Sequence, residues 1–324
     1  MRTLIVGEDI HNYLTCYVKA FEKNGFETST YRIDDSFNEV SFIKNAKRVE
    51  LVVFIDYNFR KEIFSEQTLE ILKKNRIKLL LIYIDCIEKM QGKQHLELFD
   101  FICTFSPNDV KKISVYNKNV KYLPVGVDET VYCGESAPVY RDIDVLFVGS
   151  KSSNRLDFLE FIAKWCNRNY KSMQVYGHYW HNNNVIKEFI SKVKFKLLYP
   201  ELYPHIINND ITPKNVSELY RRTKICLNIH IERSGEVNAR TFEICGNKNF
   251  QLVDRIKTLE ELGFIDGINV AMFDNKYECV EKLNKYLNDE VSREKIAERA
   301  SKFVNDKFTM SKLIRGALNE DGFI

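Results

Sequence analysis

The sequence predicts an α/β protein made of two doubly wound domains, and three observations carry that expectation. Short apolar runs alternate with stretches of helical periodicity, the runs are apolar on both faces, and the alternation pauses after residue 128 and restarts at 143. Runs of that kind, separated by helices, mark a parallel sheet covered on both sides. At 324 residues the chain also exceeds the roughly 250–300 at which a single hydrophobic core stops growing.

Taken in order, Thr3 to Val6 is an apolar run ending at Gly7, and Tyr13 to Lys23 has helical spacing until Asn24-Gly25 stops it. Leu51 to Ile55 and Leu79 to Ile84 are further strands, each followed by an aspartate (Asp56, Asp85), with a helical pattern from Phe64 to Lys74 between them. Phe101 to Phe105 and Val120 to Leu123 complete the first series, so residues 1–128 form the first domain. Residues 129–142 have little periodicity and carry Gly134, Ser136, Ala137 and Pro138, which marks them as the linker. In the second domain, 143–305, strands are expected at Asp144 to Val148, Met173 to Tyr176, Ile225 to Ile229 and Phe250 to Val253. Helices are expected at Asn154 to Cys166, Val216 to Arg222, Ala239 to Cys245 and Tyr277 to Leu287. The chain ends in a helix within 306–324 that is expected to pack back on the first domain.

Composition excludes more than it names. A formal charge of +3, with 29% charged residues, is too small to point to nucleic acid. The eight cysteines are scattered singly, without the close pairs of zinc or redox motifs, and most sit among apolar neighbours. They read as small core residues of a cytoplasmic protein. No apolar run approaches the ~20 residues that cross a bilayer, and the first residues run straight into a strand without an apolar signal region.

In doubly wound sheets ligands bind outside the carboxyl ends of the strands, so Gly7, Gly149 and Gly177 mark where to look. Neither Gly7-Glu-Asp-Ile-His11 nor Gly149-Ser-Lys-Ser-Ser153 matches G-x-G-x-x-G, and no Gly-Lys-Ser/Thr Walker pattern occurs. Gly149 with Ser150, Lys151 and Arg155 nevertheless sets cations beside exposed amides, which suits a diphosphate. The most informative stretch is Asn228 to Gly246, a polar segment that leaves a strand and enters a short helix, with Asn238 at its start and Arg240 and Glu243 on one helix face. A surface ion pair on a capped helix is the plain alternative.

These pieces resemble the GT-B glycosyltransferases, in particular the CgeB-like spore-maturation branch and the related glycosyltransferase family 1 and 4-like enzymes. The matching residues are Val145-Leu-Phe-Val-Gly-Ser150 with Arg155, Val175-Tyr176-Gly177, Leu227-Asn-Ile-His230 and Asn238-Ala-Arg-Thr-Phe-Glu243. Gly263, Gly267 to Phe273, Arg293 to Ala297 and Phe308-Thr309 follow in the same order. In the first half only Phe105-Ser106 and Leu123 to Asp128 match. The resemblance implies two Rossmann-like domains facing across a cleft, with a nucleoside-diphosphate sugar held by the second and a glycan, lipid-linked or protein acceptor by the first. It implies that Gly149, Ser150, Arg155, Tyr176, Gly177, Asn238, Arg240, Thr241 and Glu243 bind the donor. Glu243 would take the ribose hydroxyls, the amides from Asn238 to Thr241 the diphosphate, and Arg155 the place of the phosphate-binding cation. No cofactor and no metal would be needed beyond the donor itself. An epimerase of the same architecture and a non-catalytic nucleotide-sugar-binding protein are the alternative readings.

The resemblance has one departure. Related retaining enzymes carry two glutamates separated by seven residues, and the first of these positions is Gly235 here, with Glu236 and Glu232 out of register. The catalytic candidates are therefore Glu236, His230 and, at the end of the first strand, His11, alongside Glu8, Asp9, Asp56 and Asp85. Acidic residues at strand ends also serve as helix caps. Finally, His181 to Asn209 combines Lys187, Lys192, Lys194 and Lys196 with Phe189, Phe195, Tyr199 and Tyr203. Such a stretch either packs its aromatics inward or rests on an anionic bilayer at the inner face of the membrane. His178 and His181 lack a third ligand, so no zinc is expected.

Overall fold

The structure, a computed structural model, describes residues 1–9, 13–34, 37–55, 66–90, 92–132, 134, 140–177, 180, 185–207, 211–231 and 235–319. In chain order the elements are β1 (Arg2–Gly7), α1 (Tyr13–Lys23), β2 (Glu27–Arg32), α2 (Glu39–Ala46), β3 (Leu51–Ile55), α3 (Glu66–Lys74), β4 (Lys78–Tyr83), β5 (Phe101–Thr104), α4 (Pro107–Ile113) and β6 (Val120–Tyr122). Then come β7 (Ile143–Val148), α5 (Ser153–Arg168), β8 (Met173–Tyr176), α6 (Val185–Leu198), β9 (Ile206–Ile207), α7 (Pro213–Arg221), β10 (Thr223–Asn228), α8 (Ala239–Gly246), β11 (Gln251–Asp254), α9 (Lys257–Glu261) and β12 (Ala271–Phe273). Three helices close the chain: α10 (Lys276–Asn288), α11 (Glu290–Lys307) and α12 (Met310–Asn319). The chain divides into two compact units, Met1–Gly126 with Phe308–Ile324, and Val127–Lys307.

The first unit is a six-stranded parallel sheet in the order β2-β1-β3-β4-β5-β6. β3 is buried at every position, because alternate residues feed two cores: Val52 and Phe54 join one face, and Leu51, Val53 and Ile55 the other. β2 is the edge strand, and none of its residues is buried. That is why its sequence, Glu-Thr-Ser-Thr-Tyr-Arg, shows no apolar run. α12 completes the second face. Met310, Ile314, Ala317 and Leu318 recur at i, i+4, i+7 and i+8 and share a core with Tyr17 and Phe21 of α1. Asn24 locks the pair, its amide donating to Ser311 O at 2.8 Å while Arg315 Nε donates to its oxygen at 2.9 Å.

The second unit is also parallel and six-stranded, in the order β12-β11-β10-β7-β8-β9. Read from the other edge this is the doubly wound order in which the chain starts in the middle and winds outward both ways. Its switch point, where successive connections leave in opposite directions, lies between β7 and β10. Within the stretch preceding β7, Tyr132 is 3% exposed and its ring lies 6.3 Å from that of Tyr220 on α7. On α6 the aromatic residue Phe195 is buried and packs with Tyr199 and Tyr203 at 5.1 and 6.5 Å. Among the described side chains there the apolar ones that face outward are aliphatic: Val193, Leu197 and Leu198; Lys187 and Phe189 lie outside them. Among the described residues no helix is long and apolar enough to cross a membrane.

Candidate functional site

The carboxyl ends of β7 and β10 meet at the switch point of the second sheet, and one side chain ties them together. Arg155, on the first turn of α5, donates from Nη1 to Ser150 O at 2.9 Å, and from Nε and Nη2 to Ile229 O at 2.9 and 2.6 Å. Its guanidinium also lies 5.4 Å from the centre of the Phe147 ring. The side chain is only 6% exposed, and burial pulls its pKa down to about 10, with Arg240 adding repulsion and the Asp254 carboxylate opposing the fall. Arg155 thus staples the loop after β7 to the end of β10 while placing a positive charge there.

The glycines beside it are needed for closeness. Gly149 N donates to Tyr176 O at 2.9 Å, and its carbonyl accepts the Trp180 indole N–H at 3.1 Å. A Cβ on Gly177 would lie 2.1 Å from Gly149 O, so no side chain fits where β7 and β8 end together. Ser150 is exposed and Tyr176 half-buried at the same end of the sheet.

α8 starts one loop beyond β10. Its N-cap, Asn238, accepts from Thr241 N at 3.1 Å. The same amide exchanges two hydrogen bonds with Asn228, at 3.1 and 2.9 Å, and Asn228 also donates to Thr241 Oγ1 at 3.0 Å. Asn228 and Thr241 are fully buried, so the start of α8 is fixed to the last residue of β10. One turn on, Arg240 Nη1 donates to Glu243 Oε2, which also accepts from Tyr220 Oη at 3.4 Å. Burial works against the charge on Arg240, but the Glu243 carboxylate outweighs it and holds the guanidinium well above its ordinary pKa. Burial likewise pushes the Tyr220 phenol up. The other carboxylate oxygen, Oε1, makes no hydrogen bond among the described residues, and the Glu243 side chain keeps 15% of its exposure.

His230 stands just past β10 and Asp254 ends β11, the next strand. The imidazole Nδ1 lies 2.7 Å from Asp254 Oδ1, and the His230 backbone N–H donates to both carboxylate oxygens at 2.9 and 3.1 Å. Asn154 donates to the His230 carbonyl at 3.0 Å. Asp254 is a residue that the sequence reading passed over. Its signal was available: an acidic residue at the carboxyl end of the strand parallel to the one that leads into His230.

The remaining candidates are more scattered. Glu236 is buried at 6% exposure in the loop before α8. Gly235 has φ 61°, left-handed backbone in which a glutamate would be strained, and this is a local reason for the missing acid at that position. In the first unit His11 and Asp56 lie outside the described residues. Asp9 accepts from Thr15 N and Oγ1 at 3.3 and 2.9 Å and pairs with Arg32, and Asp85 accepts from Cys86 N and Lys89. Asp9 therefore caps the start of α1, and Asp85 is engaged by near neighbours in sequence. Six cysteines are buried and Cys86 is half-buried, and burial raises the Cys166 thiol to about 12. Among the described residues no group of three or more His, Cys, Asp or Glu could hold a metal ion; His178 and His181 lie outside them.

Known proteins share this architecture. Anabaena Alr3699/HepE, solved with UDP, superposes with a TM-score of 0.67 at 10% identity over 100% of both chains; it has also been solved with UDP-glucose. Sucrose-phosphate synthase from Thermosynechococcus elongatus gives 0.63 at 9% identity, covering 100% of this chain and 99% of that one. A glycosyltransferase from Rickettsia africae gives 0.60 at 14% identity, covering 98% and 96%. Identities this low carry the fold, which is GT-B, and no substrate. No curated protein matches the sequence. A family description, glycosyl transferase-like, matches residues 155–319. That match begins at Arg155, takes in Asn238, Arg240, Glu243, His230 and Asp254, and spans just over half of the sequence, so the chain belongs to the glycosyl transferase-like family.

Proposed function

We propose that this glycosyltransferase takes its sugar from a nucleoside diphosphate held at the switch point of the second unit and passes it to a glycan, glycolipid or protein acceptor. The observation that carries the reading is geometric. Arg155 is anchored where the loop after β7 meets the end of β10, and the bonds among Asn228, Asn238 and Thr241 fix the N-terminus of α8 to the same strand end. A guanidinium and helix-start amides at one strand end suit a diphosphate, and the same groups would stabilise it as a leaving group. In this reading Gly149, Ser150, Tyr176 and Gly177 shape the donor side, the amides from Asn238 to Thr241 cradle phosphate oxygens, and Glu243 Oε1 accepts from the ribose. The UDP-bound Anabaena relative makes UDP the first nucleotide to try. Metal-independent transfer, a hexose as the moved group and a peripheral place on the membrane belong to the same proposal.

The test is a thermal-shift screen of the purified protein against UDP, GDP, ADP, CMP and their sugar conjugates, with Glu243→Ala alongside. One diphosphate at about 100 times its Kd should add roughly 2.7 kcal/mol. The variant should lose about 1–3 kcal/mol of that binding, the scale of a charged hydrogen bond. Stabilisation by none of them would remove the reading. Conversion of the sugar conjugate without any acceptor would replace it with an epimerase.

A further inference from the structure

His230 is held by its backbone and by one nitrogen of its ring. Asp254 takes its backbone N–H and its Nδ1, Asn154 takes its carbonyl, and the residue before it carries two hydrogen bonds from Arg155. The side chain is 5% exposed, yet Nε2 is buried with no hydrogen-bond partner. A buried imidazole nitrogen left so is destabilising. The bond to Asp254 accounts for Nδ1, and no hydrogen bond of the fold accounts for Nε2.

The chemistry of the orphan atom follows from its partner. A carboxylate only accepts, so Nδ1 must carry the proton, and in the neutral ring Nε2 is then a lone pair. A lone pair cannot bind a phosphate oxygen, which is also only an acceptor. It can bind a hydroxyl. Resting on the nucleotide-sugar reading above, in which Glu243 takes the ribose hydroxyls, we infer that His230 Nε2 accepts a hydrogen bond from a hydroxyl of the donor's sugar, and that Asp254 is the positioning residue that sets its tautomer and aim. The pair sits at the carboxyl ends of neighbouring strands, where such a contact belongs. It offers a sugar-side acceptor in a chain whose backbone at Gly235 disfavours a glutamate.

The experiment measures binding of UDP, GDP and ADP and of their glucose conjugates, by titration calorimetry, to the full chain and to three variants. His230→Phe should bind a glucose conjugate about five- to tenfold more weakly while binding the bare diphosphate as before. His230→Gln, whose amide reaches about as far as Nε2, should recover much of that difference. Asp254→Asn should show the same selective loss without touching ligand, and should serve as the test if His230→Phe does not fold. Nitrogen NMR of the ligand-free protein should show Nδ1 protonated and Nε2 bare, with Nε2 shifting when the conjugate is added and not when the diphosphate is.

Equal losses for conjugate and diphosphate, or none for either, overturn the inference and leave the diphosphate site standing. A protonated Nε2 with a bare Nδ1 overturns it as well. Failure of the unaltered chain to bind any diphosphate removes both readings together.

Discussion

At the scale of single residues, side chains that suit a ligand are here also joinery. Arg155 was expected as a phosphate-binding cation; it is buried and spends three donors on two carbonyls. Guanidinium has five N–H groups in a rigid fork, so it can staple two loops and still present charge, which lysine cannot do. Arg155→Ala should therefore cost ~2–3 kcal/mol of stability by leaving Ser150 and Ile229 carbonyls unpaired, with Arg155→Lys intermediate, as read by urea unfolding. Arg155 binds its proton more weakly in the folded chain than in the unfolded one. Its titration thus contributes to stability only above about pH 10, rising with pH there, and the difference between variant and parent should be flat near neutrality. Asn238 and Thr241 are joinery too: their side chains hold α8 to β10, and what they leave for a phosphate is the backbone N–H groups at the helix start.

At the scale of elements, the site depends on how closely strand ends approach. β7 and β8 finish at Gly149 and Gly177, and the carbonyl of one occupies the space where the other would carry a Cβ. Gly177→Ala should cost at least ~1–3 kcal/mol, the scale of overpacking, because the conflict is with backbone that no rotamer relieves. A lowered unfolding temperature with weakened UDP binding is the expected result, and an alanine variant with parental stability would show that the strand ends can part. Register makes the other juxtaposition. Asn228 pairs with Val253 across β10 and β11, which brings the next residues of both strands, and hence His230 and Asp254, to the same end of the sheet.

At the scale of the molecule, the chain crosses from the first unit to the second at Gly126 and returns with Phe308. The return is structural, since α12 supplies four buried side chains to the core under α1. Burial of three large aliphatic residues and an alanine contributes on the order of 5 kcal/mol, comparable to the whole stability of a domain. A chain ending at Lys307 should keep the cooperative unfolding of the second unit and lose that of the first, seen as rapid proteolysis confined to residues 1–126. Retention of two unfolding transitions would show that the first unit stands without its last helix.

The central strands and their helices were legible in the sequence because a buried parallel strand must be apolar on both faces. α1, β3 and β8 have the bounds that periodicity predicts. Edge strands β2 and β9 and the helices α2, α4 and α9 were not legible, since a half-solvated or very short element need show no pattern. The sequence also located Arg240, Glu243 and the Asn238 cap, because contacts three residues apart on one helix are local. Strand order decided the rest. Only the winding that sets β7 beside β10 and β10 beside β11 brings Arg155 to the carbonyl of Ile229 and Asp254 to the ring of His230, and no local rule relates residues 74 or 24 positions apart.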